Sequence, residues 1–203
     1  MSKASVHCPG CGQDYEMEVR DSINAELDPE GAADARTGAL FTHECPACGK
    51  MNLVSYPMLY HDPTHRLMLW HCPAEADVQR IKPTLDSAPE LSDYSLRIVL
   101  SPGEFIEKLK IQDAGLDDVI VEMCKFVTCK EIGSEVDLRF VKLDGADMEM
   151  TFTYPKNGDM ELVAVGFNVY EDCRGIVGRN PHIKEAARGL VRICPDWLLR
   201  FFE

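Results

Sequence analysis

Apolar and polar residues alternate, cluster and recur along this chain in ways that place most of its elements. Tyr15, Met17 and Val19 alternate with Glu16, Glu18 and Arg20, the period of a half-buried strand. Asp28-Pro29-Glu30 has the form of a helix start with Pro at the first helical position. It leads through Ala32, Ala33 and Ala35 to a terminating Gly38. Leu40-Phe41-Thr42-His43 predicts a strand, and Met51 to Tyr60 predicts extended chain in which Pro57 marks an edge or a bulge. After an Asp62-Pro63 turn, Leu67-Met68-Leu69-Trp70 predicts the returning strand. The pattern then weakens. Pro73, Pro83 and Pro89 punctuate an acidic stretch, and residues 76–92 read as a linker.

Beyond it, Leu96 to Leu100 predicts a strand, and Ser101-Pro102-Gly103-Glu104 is a capping box that opens a helix through Phe105, Ile106 and Leu109. Leu116, Val119, Ile120, Met123, Cys124 and Val127 recur at i, i+3, i+4, i+7, i+8 and i+11, which predicts an amphipathic helix. Val136, Leu138 and Phe140 alternate with Asp137 and Arg139. Asp144-Gly145 and Asn157-Gly158 are hairpin turns leading into Met148 to Tyr154 and Met160 to Val169, so a three-stranded meander is expected. Asn180-Pro181 predicts a last short helix, Leu190 to Ile193 a strand, and Asp196-Trp197 a terminal helical turn. Strand and helix runs are segregated, not interleaved as βαβ units, which gives an α+β fold.

The chemistry of the N-terminal third lies in two copies of one motif, Cys8-Pro9-Gly10-Cys11-Gly12 and Cys45-Pro46-Ala47-Cys48-Gly49. Two Cys three positions apart reach one ion when the turn between them is tight. Pro presets that turn, and a following Gly accepts positive φ. Two such knuckles supply four thiolates, so Cys8, Cys11, Cys45 and Cys48 are the expected ligands of one structural Zn²⁺ per chain. Iron in the same cage is the lesser alternative. The competing reading is a pair of redox dithiols. Duplication of the motif, each copy followed by Gly and an alternating run, favours the shared metal. Cys11 and Cys45 are separated by 33 residues, Gly12 through Glu44, against roughly 15–20 in a compact ribbon. An insertion, the helix ending at Gly38, must bring the knuckles back together. The resulting organisation is a zinc-ribbon-like β module over 1–75, the linker 76–92, and an α+β domain with an antiparallel meander over 93–203.

The chain has 203 residues, 45% hydrophobic and 27% charged, enough for one substantial domain or two small ones. Its N-terminus lacks a signal-peptide core and no stretch approaches a membrane span, so a cytoplasmic protein without membrane contact is expected. Nine Cys, an odd number with four at metal spacing, agree with a reducing compartment. The net charge of −13 argues against nucleic acid, which ribbons bind by neutralising phosphates. Four thiolates on Zn²⁺ would add a net −2 locally, which Lys50, His7 and His43 are placed to soften.

The layout resembles the CpXC-domain family. Both Cys-Pro-x-Cys-Gly pairs carry the resemblance, together with Asp21-Ser22-Ile23-Asn24, Leu27-Asp28-Pro29, Gly38 and Leu40, and Tyr56-Pro57-Met58-Leu59-Tyr60-His61-Asp62-Pro63. It is specific over residues 6 to 75. Over Leu96 to Lys130 it is looser, resting on Arg97-Ile98-Val99, Glu107-Lys108-Leu109 and Leu116-Asp117-Asp118. The resemblance implies a zinc-ribbon-like metal site and no particular reaction. The chain departs from the pattern in Gly31-Ala32-Ala33-Asp34-Ala35, which is poor in large apolar residues.

Other candidates have plainer readings. His61, Asp62 and His65, with His71 nearby in sequence, form either an acid–base or metal cluster or a hairpin corner in which Asp62 accepts backbone hydrogen bonds. Pro63 prevents one helix from presenting His61 and His65 together, which favours the corner. Cys124 lies on an apolar helix face, and Cys72, Cys129, Cys173 and Cys194 lack CxxC partners. Met148, Met150 and Met160 alternate as strand packing residues do. No GxSxG, HExxH, phosphate-loop or dinucleotide motif supports an enzyme class. The expected function is a zinc-stabilised interaction or ligand-binding module whose partner, protein or small molecule, and oligomeric state stay open. The alternative is an enzyme, a hydrolase or thiol-redox protein, using His61, Asp62 and His65 or the spare thiols.

Overall fold

The computed structural model describes residues 2–86, 91–133 and 136–202, without the side chains of 82–84 and 86. The chain is a mixed α+β protein. It divides into two units, Met1–Ile106 and Glu107–Glu203.

In the first unit, strands β1 (Ser2–His7) and β2 (Asp14–Val19) form an antiparallel hairpin with Ala4 opposite Met17. Met17 and Val19 turn inward while Glu16 and Glu18 face solvent, as the alternation predicts. A short strand β3 (Ser22–Asn24) precedes helix α1 (Pro29–Thr37). Asp28 caps α1, its Oδ1 accepting from the Gly31 N–H at 2.9 Å, and Gly38 ends it at φ 81°. The small residues of this helix have a structural reason. Gly31, Ala32 and Ala35 are its buried face, and a Cβ at position 31 would lie 2.8 Å from an Arg20 guanidinium nitrogen.

Ala39–Phe41 is a 3-10 turn, not strand, and only β4 (Thr42–Glu44) is extended there, pairing antiparallel with β5 (Met51–Leu53). The stretch expected to be extended from Met51 to Tyr60, with an edge or bulge at Pro57, breaks before β6 (Met58–Asp62), where Pro57 has no N–H to carry a ladder onward. Strand β7 (Leu67–His71) pairs antiparallel with β6, Tyr60 opposite Leu69. On the far side of β6, β3 runs parallel to it. Beyond β7, β8 (Ser95–Val99) runs parallel to β7. Within the segment read as a linker, helix α2 occupies Glu75–Asp86, and residues 87–90 of that segment lie outside the described residues. Its polar composition hides it in the sequence, but Glu75 and Asp77 in its first turn suit the positive end of a helix dipole. Phe41, Tyr60 and Phe105 are fully buried in the core of this unit, with Phe41 edge-on to Phe105 at 5.3 Å.

The division between units falls inside α3 (Pro102–Asp113), so the strand that sequence patterning places at the head of the C-terminal part belongs to the first unit. The second unit contains α4 (Asp118–Ile132), capped by Asp117 and closed by Gly133 at φ 74°. It also contains the expected meander, β9 (Arg139–Asp144), β10 (Glu149–Lys156) and β11 (Asp159–Gly166), in the order β11-β10-β9. Asn157 and Gly158 both take positive φ, the conformation a two-residue hairpin turn needs. The strand predicted to run to Val169 stops at Gly166, and α5 (Phe167–Arg179) follows directly. Then come α6 (Pro181–Ala186), β12 (Leu190–Val191) and α7 (Pro195–Leu199). Val121, Leu138, Met150, Phe152 and Leu198 are among the most buried members of its core. Of the three methionines read as strand packing, Met150 alone is in that core. Met148 and Met160 are exposed. No helix among the described residues is long and apolar enough to cross a membrane.

Candidate metal centre

Each cysteine pair occupies the loop of a hairpin, the first between β1 and β2 and the second between β4 and β5. The two loops are built alike. Cys8 N–H donates to the Gln13 carbonyl at 2.9 Å and Gly12 N–H to the Cys8 carbonyl at 2.8 Å. In the second loop, Cys45 N–H donates to the Lys50 carbonyl at 2.8 Å and Gly49 N–H to the Cys45 carbonyl at 2.9 Å. Gly12 and Gly49 sit at φ 74° and 72°, left-handed positions where a Cβ would be strained, which is why each motif ends in Gly. The first Cys of each loop is buried and the second exposed.

The four sulfurs converge within 4.8 Å of one another. Cys8 Sγ lies 3.7 Å from Cys48 Sγ, and Cys11 Sγ 3.8 Å from Cys45 Sγ, so both close contacts join one loop to the other. A tetrahedron of thiolates at about 2.3 Å from a central ion has edges of about 3.8 Å, and these separations fit it. Among the described residues, these four are the one group of three or more His, Cys, Asp or Glu whose ligand atoms converge in this way. The donor set suits a soft or borderline divalent metal and leaves no open coordination position.

The surroundings favour negative charge at the first Cys. Burial pushes the Cys8 thiol up, but the N–H groups of Cys11 and Gly10 and the side chains of Asn52 and Cys45 outweigh it, leaving it lowered to about 6. The Lys50 N–H works to lower Cys48, yet burial and the neighbouring thiols Cys11, Cys8 and Cys45 raise it to about 12. Without a cation, a thiolate at Cys8 therefore stands against ionisation of Cys48. The two histidines expected to soften this charge have other partners: His7 Nδ1 is 2.7 Å from Asp14 Oδ1, and His43 stacks on Tyr15 at 5.7 Å. Lys50 does lie against the first loop, where a Cβ on Gly10 would come within 2.6 Å of its Cδ.

The His61 corner is a turn. Asp62 is buried, accepts from the His65 N–H at 3.1 Å and contacts His65 Nδ1 at 2.8 Å. His61 Nε2 points instead to the Tyr94 hydroxyl at 3.3 Å. His71 does not join them. In the β6–β7 register it pairs with Met58, at the opposite end of the hairpin from Asp62 and Leu67. Burial, with the charge of Asp77, pushes the Cys72 thiol up to about 11, so it stays a protonated core thiol. Cys129 donates to the Val136 carbonyl at 3.4 Å, and Cys194 stands half-buried at the start of α7. Sequence spacing missed one pairing. Cys124 of α4 and Cys173 of α5 are buried thiols in hydrogen-bonding contact, 49 positions apart in a chain with no local signal linking them; that neighbour and then burial push Cys124 up.

A family model described as "CpXC protein" matches residues 6–125. No curated protein and no solved structure matches the chain.

Proposed function

Because this chain belongs to the CpXC family, whose two Cys-Pro-x-Cys pairs it brings together in one cluster, we propose that it is a zinc-stabilised binding protein. One Zn²⁺ per chain is held by Cys8, Cys11, Cys45 and Cys48. The ion supplies a cross-link and no reaction, since four sulfurs fill its coordination sphere. The observation that carries this reading is the convergence of the four sulfurs within 4.8 Å of one another, with the two contacts between the loops at the edge length of a tetrahedral thiolate site. A cytoplasmic setting, where thiols stay reduced, belongs to the same reading.

The partner is a protein or a small ligand, not nucleic acid. Met51 and Leu53, two positions apart on β5 and so on the same face of the strand, are 56% and 71% exposed beside the second loop. Large apolar side chains held out in this way support contact with a partner.

The test is elemental analysis of protein purified without chelator. It should give one zinc per chain with the four thiols protected from alkylation, and Cys45→Ser should lose the metal. Metal-free protein whose cluster thiols react freely would refute the proposal, and a red-brown preparation would assign iron instead.

A further inference from the structure

The second unit holds a feature that the metal centre does not use. Helix α4 carries Glu122 and Lys125 on a face that is almost wholly buried, their side chains 4% and 7% exposed, and both line a cavity of about 600 Å³. Buried ions are costly. Replacing such a pair by apolar residues is commonly neutral or stabilising, so stability alone does not account for the pair. The volume is in the usual range of small-ligand sites.

We propose that this cavity binds a small organic cation, an apolar body of about the size of an aromatic ring bearing one primary ammonium group that pairs with Glu122. The body would lie against Phe126 of α4, Val136 and Leu138 ahead of β9, and Leu199 of α7.

The charge preference follows from how the buried groups are already committed. Glu107 is saturated. Its Oε1 accepts from the Phe140 N–H at 2.8 Å and Lys125 Nζ at 3.2 Å, and its Oε2 from Arg139 at 3.2 Å. Lys125 is shared between Glu107 and Glu122, which it meets at 3.0 Å through Oε2. Among the described residues, Glu122 thus has half of one ammonium, held at its Oε2, with its side chain at the cavity wall. Among the cavity-lining residues, Glu122, Asp137 and Asp196 are set against Lys125 and the exposed Lys130, whose ammonium sits over the Phe126 ring, and Asp137 is also paired with Arg139 at 2.7 Å. An anion entering here would find the buried cation already shared between two carboxylates. A cation finds the under-paired carboxylate. Burial pushes the Glu122 carboxyl up against the pull of Lys125 and Lys108, so its charged form gains from a further positive neighbour. The inference stands on the second unit alone and is independent of which metal the cysteines hold.

The experiment titrates the full chain, as purified with its metal, with 2-phenylethylamine, its anionic counterpart 3-phenylpropionate and the neutral 2-phenylethanol. Amide chemical shifts and calorimetry report the binding. Saturable binding of the amine in the millimolar range or tighter is expected, at least about tenfold tighter than the carboxylate. Glu122→Gln should weaken the amine by about tenfold or more and leave the alcohol unchanged. Leu199→Trp, which fills the cavity and leaves the ion cluster alone, should abolish binding of both. No saturable amine binding, a carboxylate that binds as tightly, or undiminished binding to Leu199→Trp would each overturn the proposal. Should Glu122→Gln not fold, the amine-to-carboxylate ratio and Leu199→Trp still decide it.

Discussion

His71 shows how much a single residue's environment can matter. It is 1% exposed, its Nδ1–H donating to the Tyr56 carbonyl at 2.7 Å and its Nε2 3.2 Å from the Ser55 hydroxyl, with Phe41 edge-on at 5.1 Å. Burial lowers its pKa, and neither the Tyr56 and Leu100 backbone groups nor the charges of Glu104 and Asp77 restore it. The unfolded chain therefore takes up this proton first, near the ordinary value of about 6.5. Stability from the neutral His71 is fully present above that value and is lost as pH falls towards the lowered folded value. The denaturant midpoint of the first unit should decline on acidification from pH 7, and His71→Gln should show a shallower decline. Because both proteins share the thiol cluster, the difference between them isolates His71. Parallel pH profiles would mean that the imidazole is charged or solvated in the fold.

Among the elements, α1 is the one whose existence depends most on its ends. It is nine residues long, presents only small residues to the core, and is held by the Asp28 cap and the left-handed Gly38. Short helices are marginal without such support. Asp28→Ala should cost about 1 kcal/mol through loss of the cap. Gly38→Ala should cost about 1–2 kcal/mol through the left-handed backbone, and more if Ile106, whose Cδ1 a Cβ would meet at 2.6 Å, cannot move. Equilibrium unfolding of the two variants checks both values. No change from either would show that α1 is held by its packing and not by its termini. The helix is also the insertion that separates the loops in sequence, so its loss should weaken metal retention by the intact cysteines.

For the whole molecule, the first unit and the second differ in what holds them. The hairpin bearing the second cysteine loop is short, β4 and β5 being three residues each with Asn52 their one buried residue. A structural zinc in such a setting supplies on the order of 10 kcal/mol of apparent folding free energy. The second unit has its own continuous core from Ile111 to Leu198, with none of the four cluster cysteines in it. In limited proteolysis, Cys45→Ser should be cut first within residues 6–75, while the part after Glu107 stays protected. Loss of all protection would mean that the zinc-dependent region includes the second core, and full protection throughout would mean that the metal is not the staple of the loops. The charge of the molecule sets a second expectation. At −13 it should give no mobility shift with random duplex DNA or RNA at micromolar protein and physiological salt. A salt-sensitive shift would reveal a local basic face.

Features set by neighbours along the chain are legible in the amino-acid sequence itself: the two cysteine loops, the capped α1, the periodic apolar face of α4, the Asn157-Gly158 hairpin and the Asp62 corner. Each depends on residues within a few positions, whose φ preferences and local hydrogen bonds act in the unfolded chain as in the folded one. Helix α5 escaped because it follows β11 with no capping side chain, and the run Val163 to Val169 is as apolar as a strand. The spacing of the cysteines determined that four thiols would seek one ion. Only the tertiary structure decided that the loops meet across 33 intervening residues. It alone placed β3 beside β6 and β8 beside β7, buried His71 among aromatic rings, brought Cys124 to Cys173, and set Glu122 and Lys125 against Glu107 beside a cavity. Those outcomes depend on which distant surfaces pack together, and that free energy is shared across the whole core, so no local stretch of sequence encodes it.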